Sequence, residues 1–332
     1  MSGKIRWGIL GCGKIANKFA ADLKWVEDAE LVAVASLNHQ RANDFSTKHG
    51  ARFAFNTYEE LVSCPDVDVI YVATPHGFHY AHAMLCIQHK KAVLCEKAFA
   101  LNSFQATEMI EAARQKNVFI MEAFWTKFLP QYQKVVSLIE AGELGEIKMI
   151  QADFGFKAPL PLPERLYDPL LGGGALLDIG IYPVFLSVAL LGRPKEIFAT
   201  MKPYPSGVDQ QIAIVLKFDS GALANLSATF EAVTPVEATI VGDEGYIRMT
   251  NRFHNAIGNV EFIKNATHVE IGAIHREVGY GYQFEARHVG ECLRRNLLES
   301  PVMRHADTLL LMETLDRIRV TCGIRYLADE NK

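Results

Sequence analysis

Three side chains in this sequence combine the types and the placing needed to move a proton beside a hydride: Lys97, Asp178 and Tyr182. Lys97 closes the run Ala92-Val93-Leu94-Cys95-Glu96-Lys97, just past the end of an apolar strand pattern. Ligands of open α/β sheets bind at that edge. Asp178 and Tyr182 lie four apart in Gly172-Gly173-Gly174-Ala175-Leu176-Leu177-Asp178-Ile179-Gly180-Ile181-Tyr182-Pro183, so a helix puts them on one face. The segment is otherwise apolar, where an unpartnered carboxylate is costly. A capping aspartate and a core tyrosine fit the same string; the functional alternative is a polar pair projecting into a cleft between domains. Alcohol oxidation or carbonyl reduction requires a group that moves the hydroxyl proton. A free tyrosine, titrating near ~10, is too basic for this, and a lysine cation beside it stabilises the phenolate. Tyr182 is a candidate for that acid/base, with Lys97 as a candidate for the cation beside it. Asp178 is expected to bind the substrate hydroxyl or to orient Tyr182.

The hydride carrier has its own signal. Gly11-Cys12-Gly13-Lys14-Ile15-Ala16 follows the strand pattern Ile5–Leu10 and opens a helical one. Read as GxGxxA, Gly11 permits a tight turn, Gly13 admits a pyrophosphate to the backbone, and Ala16 lets helix and strand pack closely. The phosphates then meet N–H groups at a helix N-terminus. At the end of the second strand, Ser36-Leu37-Asn38-His39-Gln40-Arg41 contains no acid. A ribose 2′-hydroxyl calls for an acid there, whereas Ser36, Asn38 and Arg41 suit a 2′-phosphate. NADP is the expected cofactor, with NAD an alternative if Arg41 is only a solvated helix residue. Thr74, Pro75, His76 and His79, which end a strand at the same edge, and Glu96 complete the expected cofactor contacts. His76, His79 and His82 are spaced by three, but no acid or cysteine follows at ligand spacing, so no metal is expected.

The elements that must position these residues follow from periodicity. Strand patterns at Ile5–Leu10, Leu31–Ser36, Val69–Ala73, Ala92–Cys95 and Val118–Met121 alternate with helical ones, which predicts a doubly wound parallel sheet over residues 1–123. From residue 124 the rhythm changes. A helix near Gln131–Ala141 and a strand at Ile147–Phe156 precede a Pro-rich loop and an apolar helix within Gly174–Gly192. Alternating strands then occupy Gln211–Phe218, Leu223–Phe230, Val236–Val241, Tyr246–Met249 and Val260–Ile263, and helices near Gln283–Asn296 and Ala306–Thr321 end the chain. This predicts a second, α+β domain over 124–332 with a large open, mostly antiparallel sheet.

Length and composition agree. A chain of 332 residues is long for one core. A net charge of −4 with no basic stripe argues against nucleic acid. The six cysteines are scattered without a CxxC pair, as buried thiols of a reducing compartment would be. No leader pattern opens the sequence, and Gly174–Gly192 carries Asp178, Gly180 and Pro183, so it reads as a buried helix and not as a membrane span. A cytoplasmic location is expected.

Together the strings Gly11–Ala16, Ala73-Thr74-Pro75-His76 through His79, Glu96-Lys97 and Gly173–Tyr182 resemble the Gfo/Idh/MocA oxidoreductase family across essentially the whole chain. Ala92–Lys97, Met121-Glu122-Ala123-Phe124-Trp125-Thr126 and Glu285-Ala286-Arg287-His288 with Glu291-Cys292-Leu293-Arg294 are most similar to its dimeric dihydrodiol dehydrogenase branch, which also oxidises D-xylose with NADP. The resemblance implies a Tyr182 acid/base assisted by Lys97, Asp178 beside the substrate, and Trp125 and Phe154 lining the pocket. It also implies a dimer through the second sheet and metal-free hydride transfer. Two positions depart from the pattern: Ala98 replaces a proline after Glu-Lys, and Leu37 stands where the branch has arginine, which leaves Arg41 as the 2′-phosphate partner.

The expected activity is NADP-linked oxidation at a sugar or cyclic diol carbon, at a CH–OH or CH–CH group, with Tyr282 adding to the apolar walls. Two alternatives have the same fold: a non-catalytic dinucleotide-sensing regulator, and a reductase of an imine or bile-pigment-like substrate.

Overall fold

A computed structural model describes residues 3–272 and 274–330. Its chain divides into two units. The first runs to Phe128 and takes up Glu277–Thr308; the second holds Leu129–Arg276 and the stretch from Leu309.

The first unit is built on six parallel strands, β1 (Ile5–Leu10), β2 (Ala29–Ala35), β3 (Phe53–Phe55), β4 (Val69–Val72), β5 (Ala92–Glu96) and β6 (Ile120–Ala123), in the order β3-β2-β1-β4-β5-β6. This is the doubly wound arrangement, and its order reverses between β1 and β4. The five strands read from the sequence are present, and β3 is added beside β2. The crossovers are α1 (Lys14–Leu23), α2 (His39–His49), α3 (Tyr58–Ser63), α4 (His79–Gln88) and α5 (Ser103–Lys116). Helices on both faces explain why β4 is buried at every residue and why the strands read as continuous apolar runs. Phe19 of α1 stacks on Tyr71 of β4 at 3.9 Å and meets Trp7 of β1 at 5.3 Å, which fastens the first helix over the switch point.

The second unit begins with α6 (Pro130–Glu140) and β7 (Ile147–Gly155), passes through the short α7 (Glu164–Tyr167) and then enters α8 (Ile181–Leu191). Seven further strands follow: β8 (Pro194–Pro203), β9 (Asp209–Phe218), β10 (Leu223–Thr229), β11 (Ala238–Gly242), β12 (Gly245–Thr250), β13 (Asn259–Lys264) and β14 (Thr267–Val269). The eight-stranded sheet has the order β14-β13-β12-β11-β7-β10-β9-β8, with β7 and β10 parallel and the other pairs antiparallel. In β9, Ile212, Ile214, Leu216 and Phe218 face the core. Each contributes about 1.5–3 kcal/mol on burial, so a one-residue slip would forfeit all four and the register is fixed.

The apolar segment before β8 is not one continuous helix. Leu176–Gly180 forms a π-helical turn that leads into α8. Pro183 falls at the third position of α8, where its missing N–H is unneeded and its ring constrains only the widened turn before it. Residues Pro169–Leu191 have the length and hydropathy of a membrane span, but 78% of their most apolar stretch is buried inside the protein. Gly180 lies against β10, where a Cβ would come within 3.2 Å of Ala228.

Two helices close the chain, α9 (Tyr282–Arg294) and α10 (His305–Cys322). The sequence reading gave everything after 123 to the second domain, whereas α9 packs into the first unit. Its N-terminus has no cap of its own; Asp22 of α1 supplies one, accepting from the backbone N–H groups of Tyr280, Gly281 and Tyr282 at 2.8–3.0 Å. Farther along, the Leu298 carbonyl accepts from the Ile120 N–H of β6.

Candidate active site

The switch point of the first unit is shaped for a dinucleotide. Gly11 leaves β1 with φ +98°, and a Cβ there would stand 3.0 Å from Thr74 and 3.1 Å from the Ala73 carbonyl. Only glycine fits this close, left-handed turn. A Cβ on exposed Gly13 would meet nothing nearer than 3.9 Å, so the space above the loop is open. Gly13 caps α1 with no side-chain hydrogen bond, and no acid stands in the first turn. Exposed Lys14 and half-buried Ile15 begin the helix. Free helical N–H groups, an open glycine and an adjacent lysine suit a pyrophosphate. These residues fit the cofactor that the sequence implied.

Cys12 lies beneath the loop, its thiol donating to the Ala35 carbonyl. Burial pushes the thiol up to about 12, and the Arg41 guanidinium draws it back. Beyond β2, buried Ser36 accepts from the Asn38 N–H, and the Asn38 side chain caps α2 by accepting from the Arg41 N–H. Arg41 itself is exposed. The acid-free corner is thus an ordered turn presenting a guanidinium.

Two expected cofactor contacts are better described as supports. His79 is fully buried, with Nδ1 2.8 Å from the Ala98 carbonyl and Nε2 2.7 Å from the Thr74 carbonyl. Both ring nitrogens face carbonyls, and the neutral ring, donating to one of them at a time, lies between the turn after β4 and the turn after β5. Burial lowers it to about 4, against the pull of the two carbonyls. The Thr74 hydroxyl is engaged by His82 at 2.9 Å, and its methyl supports Gly11. His76 is buried edge-on to His79, and Pro75 beside it is half-buried. Glu96 is also internal: its carboxylate accepts from the Tyr71 hydroxyl and from the Lys97 N–H. Half-buried Lys97 emerges from this anchored corner, and its peptide bond to Ala98 is cis. Trp125, also in this unit, stacks on Tyr282 at 4.6 Å with planes 5° apart.

The second unit gathers the other predicted residues. Tyr182 is buried at the head of α8, and Asp178 lies one turn earlier in the π-helical stretch. Asp178 accepts from both terminal nitrogens of Arg165, at 3.1 and 3.2 Å. This bidentate pair holds the carboxylate in one orientation. Phe154 of β7 meets the Tyr182 ring at 5.7 Å. Between them lies a residue absent from the sequence reading: His254, 4.4 Å from Phe154 and 4.6 Å from Tyr182.

The turn that carries Asp178 is supported from below. Asp209 accepts from the Leu176 N–H at 2.7 Å, and the Tyr326 hydroxyl donates to the Gly173 carbonyl at 2.6 Å. Gly174, at φ +118°, passes so close that a Cβ would stand 2.5 Å from Asp209. Burial pushes Asp209 up to about 7.

Comparison with known proteins accords with this geometry. Residues 5–124 match an oxidoreductase family with an NAD-binding Rossmann fold, and residues 132–248 match the GFO/IDH/MocA C-terminal domain. The chain belongs to the Gfo/Idh/MocA oxidoreductase family. It is similar to proteins named trans-1,2-dihydrobenzene-1,2-diol dehydrogenase: 38% identical over 336 residues in Danio rerio and 33% over 336 residues in Homo sapiens, each covering 98% of this chain and 99% of the relative. Aldose-aldose oxidoreductase from Caulobacter crescentus, solved with glycerol, shares the fold at a TM-score of 0.87 and 23% identity, covering 99% of this chain and 98% of that one. The 3-ketoreductase KijD10 from Actinomadura kijaniata, solved with NADP and TDP-benzene, superposes at 0.83 with 25% identity, covering 96% and 98%. This Gfo/Idh/MocA member is an NAD(P)-dependent dehydrogenase.

Arg165 and His254 escaped the sequence reading for different reasons. Arg165 lies in the Pro-rich loop, where no periodicity marks a partner. His254 lies in a polar turn, Asn251-Arg252-Phe253-His254-Asn255, with no motif around it.

Proposed function

We propose that this protein is an NADP-dependent dehydrogenase of a sugar or related cyclic diol, with Tyr182 as its acid/base. The observation that carries this reading is the setting of Tyr182: a buried phenol at a helix head, among aromatic rings, with a clamped carboxylate one turn away. When bound, the nicotinamide supplies the hydride acceptor or donor. The chain's own residues do the rest. Tyr182 takes the proton from the substrate hydroxyl, or returns it in reduction. The Lys97 ammonium stabilises the phenolate and brings proton transfer within reach near neutral pH. Asp178, oriented by Arg165, accepts a hydrogen bond from a substrate hydroxyl. Trp125 and Phe154 supply apolar walls.

NADP in preference to NAD rests on the corner after β2, where no acid opposes a 2′-phosphate and Arg41, in the first turn of α2, is exposed. A homodimer through the second sheet is part of the same proposal. Its support is the exposed apolar surface of Phe198 on β8 and Leu223 on β10. The six free cysteines, five of them buried, favour a reducing, cytoplasmic setting.

The deciding experiment pairs a fluorescence titration using NADPH and NADH with turnover of D-xylose and trans-1,2-dihydrobenzene-1,2-diol by wild type and Tyr182→Phe. Tighter NADPH binding in both proteins, with turnover confined to the wild type, is expected. Wild-type-like turnover by Tyr182→Phe would sink the assignment of the acid/base.

A further inference from the structure

We propose that Tyr326, close to the end of the chain, is a positioning residue whose hydroxyl sets the Arg165–Asp178 pair from behind, through the backbone of Gly173. The inference rests on the reading of Asp178 given above and adds to it the residue that holds the turn before that carboxylate.

Both members of the pair hang from one glycine turn. The Gly174 N–H donates to the carbonyl of Leu166, the residue after Arg165 on α7, and the Gly174 carbonyl accepts from the Asp178 N–H at 3.2 Å. The Gly173 N–H donates to the Asp168 carbonyl at 2.9 Å. A shift of this turn therefore moves the guanidinium and the carboxylate relative to each other.

The run Gly172-Gly173-Gly174 cannot stiffen itself. Glycine has the widest backbone freedom of any residue, and here it cannot be exchanged for a bulkier one. A Cβ on Gly173 would stand 2.8 Å from the Leu166 carbonyl oxygen, and one on Gly174 would stand 2.5 Å from Asp209. The conformation of the turn is imposed by its neighbours.

Tyr326 is placed to impose it. The phenol is buried, its hydroxyl donates to the Gly173 carbonyl at 2.6 Å, and it lies 3.2 Å from where a Gly174 Cβ would be. Burial holds this phenol well above the ordinary tyrosine range, so it remains a donor. The tyrosine is itself held. Gly323, at φ +74°, turns the chain at the end of α10. Buried Arg319 of that helix reaches both carboxylate oxygens of Asp329, at 2.7 and 3.1 Å, and Asp329 accepts from the Tyr326 N–H. The same guanidinium lies 5.0 Å from the Tyr326 ring. A phenylalanine would fill this space against Arg319 equally well, so packing alone does not call for tyrosine. The hydroxyl is the part that reaches the turn.

Tyr326→Phe in the full chain keeps the ring and removes that hydroxyl. It is expected to raise the KM for D-xylose at least fivefold, with kcat within threefold and NADPH affinity within twofold of wild type, the pattern of a lost binding interaction. Because the effect passes through the pair, Tyr326→Phe combined with Arg165→Gln should match the KM of Arg165→Gln alone to within twofold; independent effects would multiply. A reading that needs no substrate accompanies these. The two Arg165 Nη resonances, distinct while both hydrogen bonds to Asp178 are held, should merge in Tyr326→Phe. Asp329→Asn, which loosens the clamp and keeps the phenol, should move KM and resonances in the same direction, and it stands in if Tyr326→Phe does not fold. Resonances alike in wild type and variant, multiplied effects in the double variant, or a kcat or NADPH affinity that falls as far as KM rises overturn the proposal. Merged resonances with an unchanged KM retain Tyr326 as the residue that positions the pair and remove Asp178 from the substrate contacts.

Discussion

The Asp22 carboxylate accepts a 2.9 Å hydrogen bond from the backbone N–H of Tyr282, 260 positions further along the chain. The same carboxylate accepts from Tyr280 and Gly281, so one side chain near the end of α1 caps the start of α9. Gly279 and Gly281, at φ +117° and +114°, bend the backbone around it. Replacing Asp22 with alanine removes the acceptor of the part-buried Tyr280 N–H and the buried Tyr282 N–H, while the Gly281 N–H keeps Gln283 Oε1. Each costs about 1–3 kcal/mol when left unpaired, and the loss of a cap alone costs ~1 kcal/mol. Asp22→Ala is expected to destabilise the protein by about 3–5 kcal/mol in urea melts. A loss below ~1 kcal/mol would show that the cap is dispensable.

The Arg165–Asp178 pair makes a different prediction. Arg165 is half-exposed, so the ion pair itself contributes little to stability. Its effect is to orient the carboxylate. Arg165→Gln should leave the melting temperature within a degree or two and NADPH affinity unchanged. The KM for the hydroxylated substrate should rise tenfold or more, with a smaller change in kcat. An unchanged KM would remove Asp178 from the substrate contacts.

His79 ties the turn after β4 to the one carrying Lys97, and no ligand contact is needed for it to affect activity. His79→Leu leaves the Thr74 and Ala98 carbonyls without this partner and loosens the corner from which Lys97 emerges. The expected result is a loss of about 2–4 kcal/mol of stability together with a tenfold or greater fall in kcat/KM. Full activity in a folded His79→Leu protein would make the tie irrelevant to Lys97.

Asp209 introduces a pH dependence. In the folded chain burial holds its carboxyl at about 7, above the 3.8 of an unhindered aspartate. Between those values the unfolded chain has released a proton that the folded chain retains, so rising pH favours unfolding. The contribution is fully present below about pH 4 and is lost by about pH 7, an effect of up to ~4 kcal/mol. His79 acts in the opposite sense: its ring lies at about 4 against an ordinary 6.5, so its part of the stability falls as pH drops through that interval. Asp209→Asn removes the first effect alone. The difference in melting temperature, variant minus wild type, should rise between pH 5 and pH 8. A constant difference would mean that Asp209 does not titrate in the folded protein.

How far the sequence disclosed all this depends on the range of each interaction. Gly11, Gly13 and Lys97 were legible because each sits at a fixed offset from an apolar strand, and the sheet carries them to one edge. The spacing of four between Asp178 and Tyr182 was visible, although the π-helical turn between them was not. β3 is only three residues long, and β8 alternates weakly between flanking prolines, so neither left a period to read. His79 looked like a ligand contact because its position was right; its burial between two carbonyls depends on the tertiary fold. His254 and Arg165 acquire partners only through strands and loops far away in sequence. The capping of α9 by Asp22 left no trace at all, since its partners are backbone N–H groups that every residue but proline possesses.

That capping bears on how the protein is made. The first unit needs Glu277–Thr308, so no single cut in the gene releases it. A fragment ending near residue 128 would lack α9, leave Asp22 facing water and strip Trp125 of Tyr282. On the ribosome the same rule sets a schedule: the dinucleotide-binding unit, though translated first, is completed only after the second sheet has emerged.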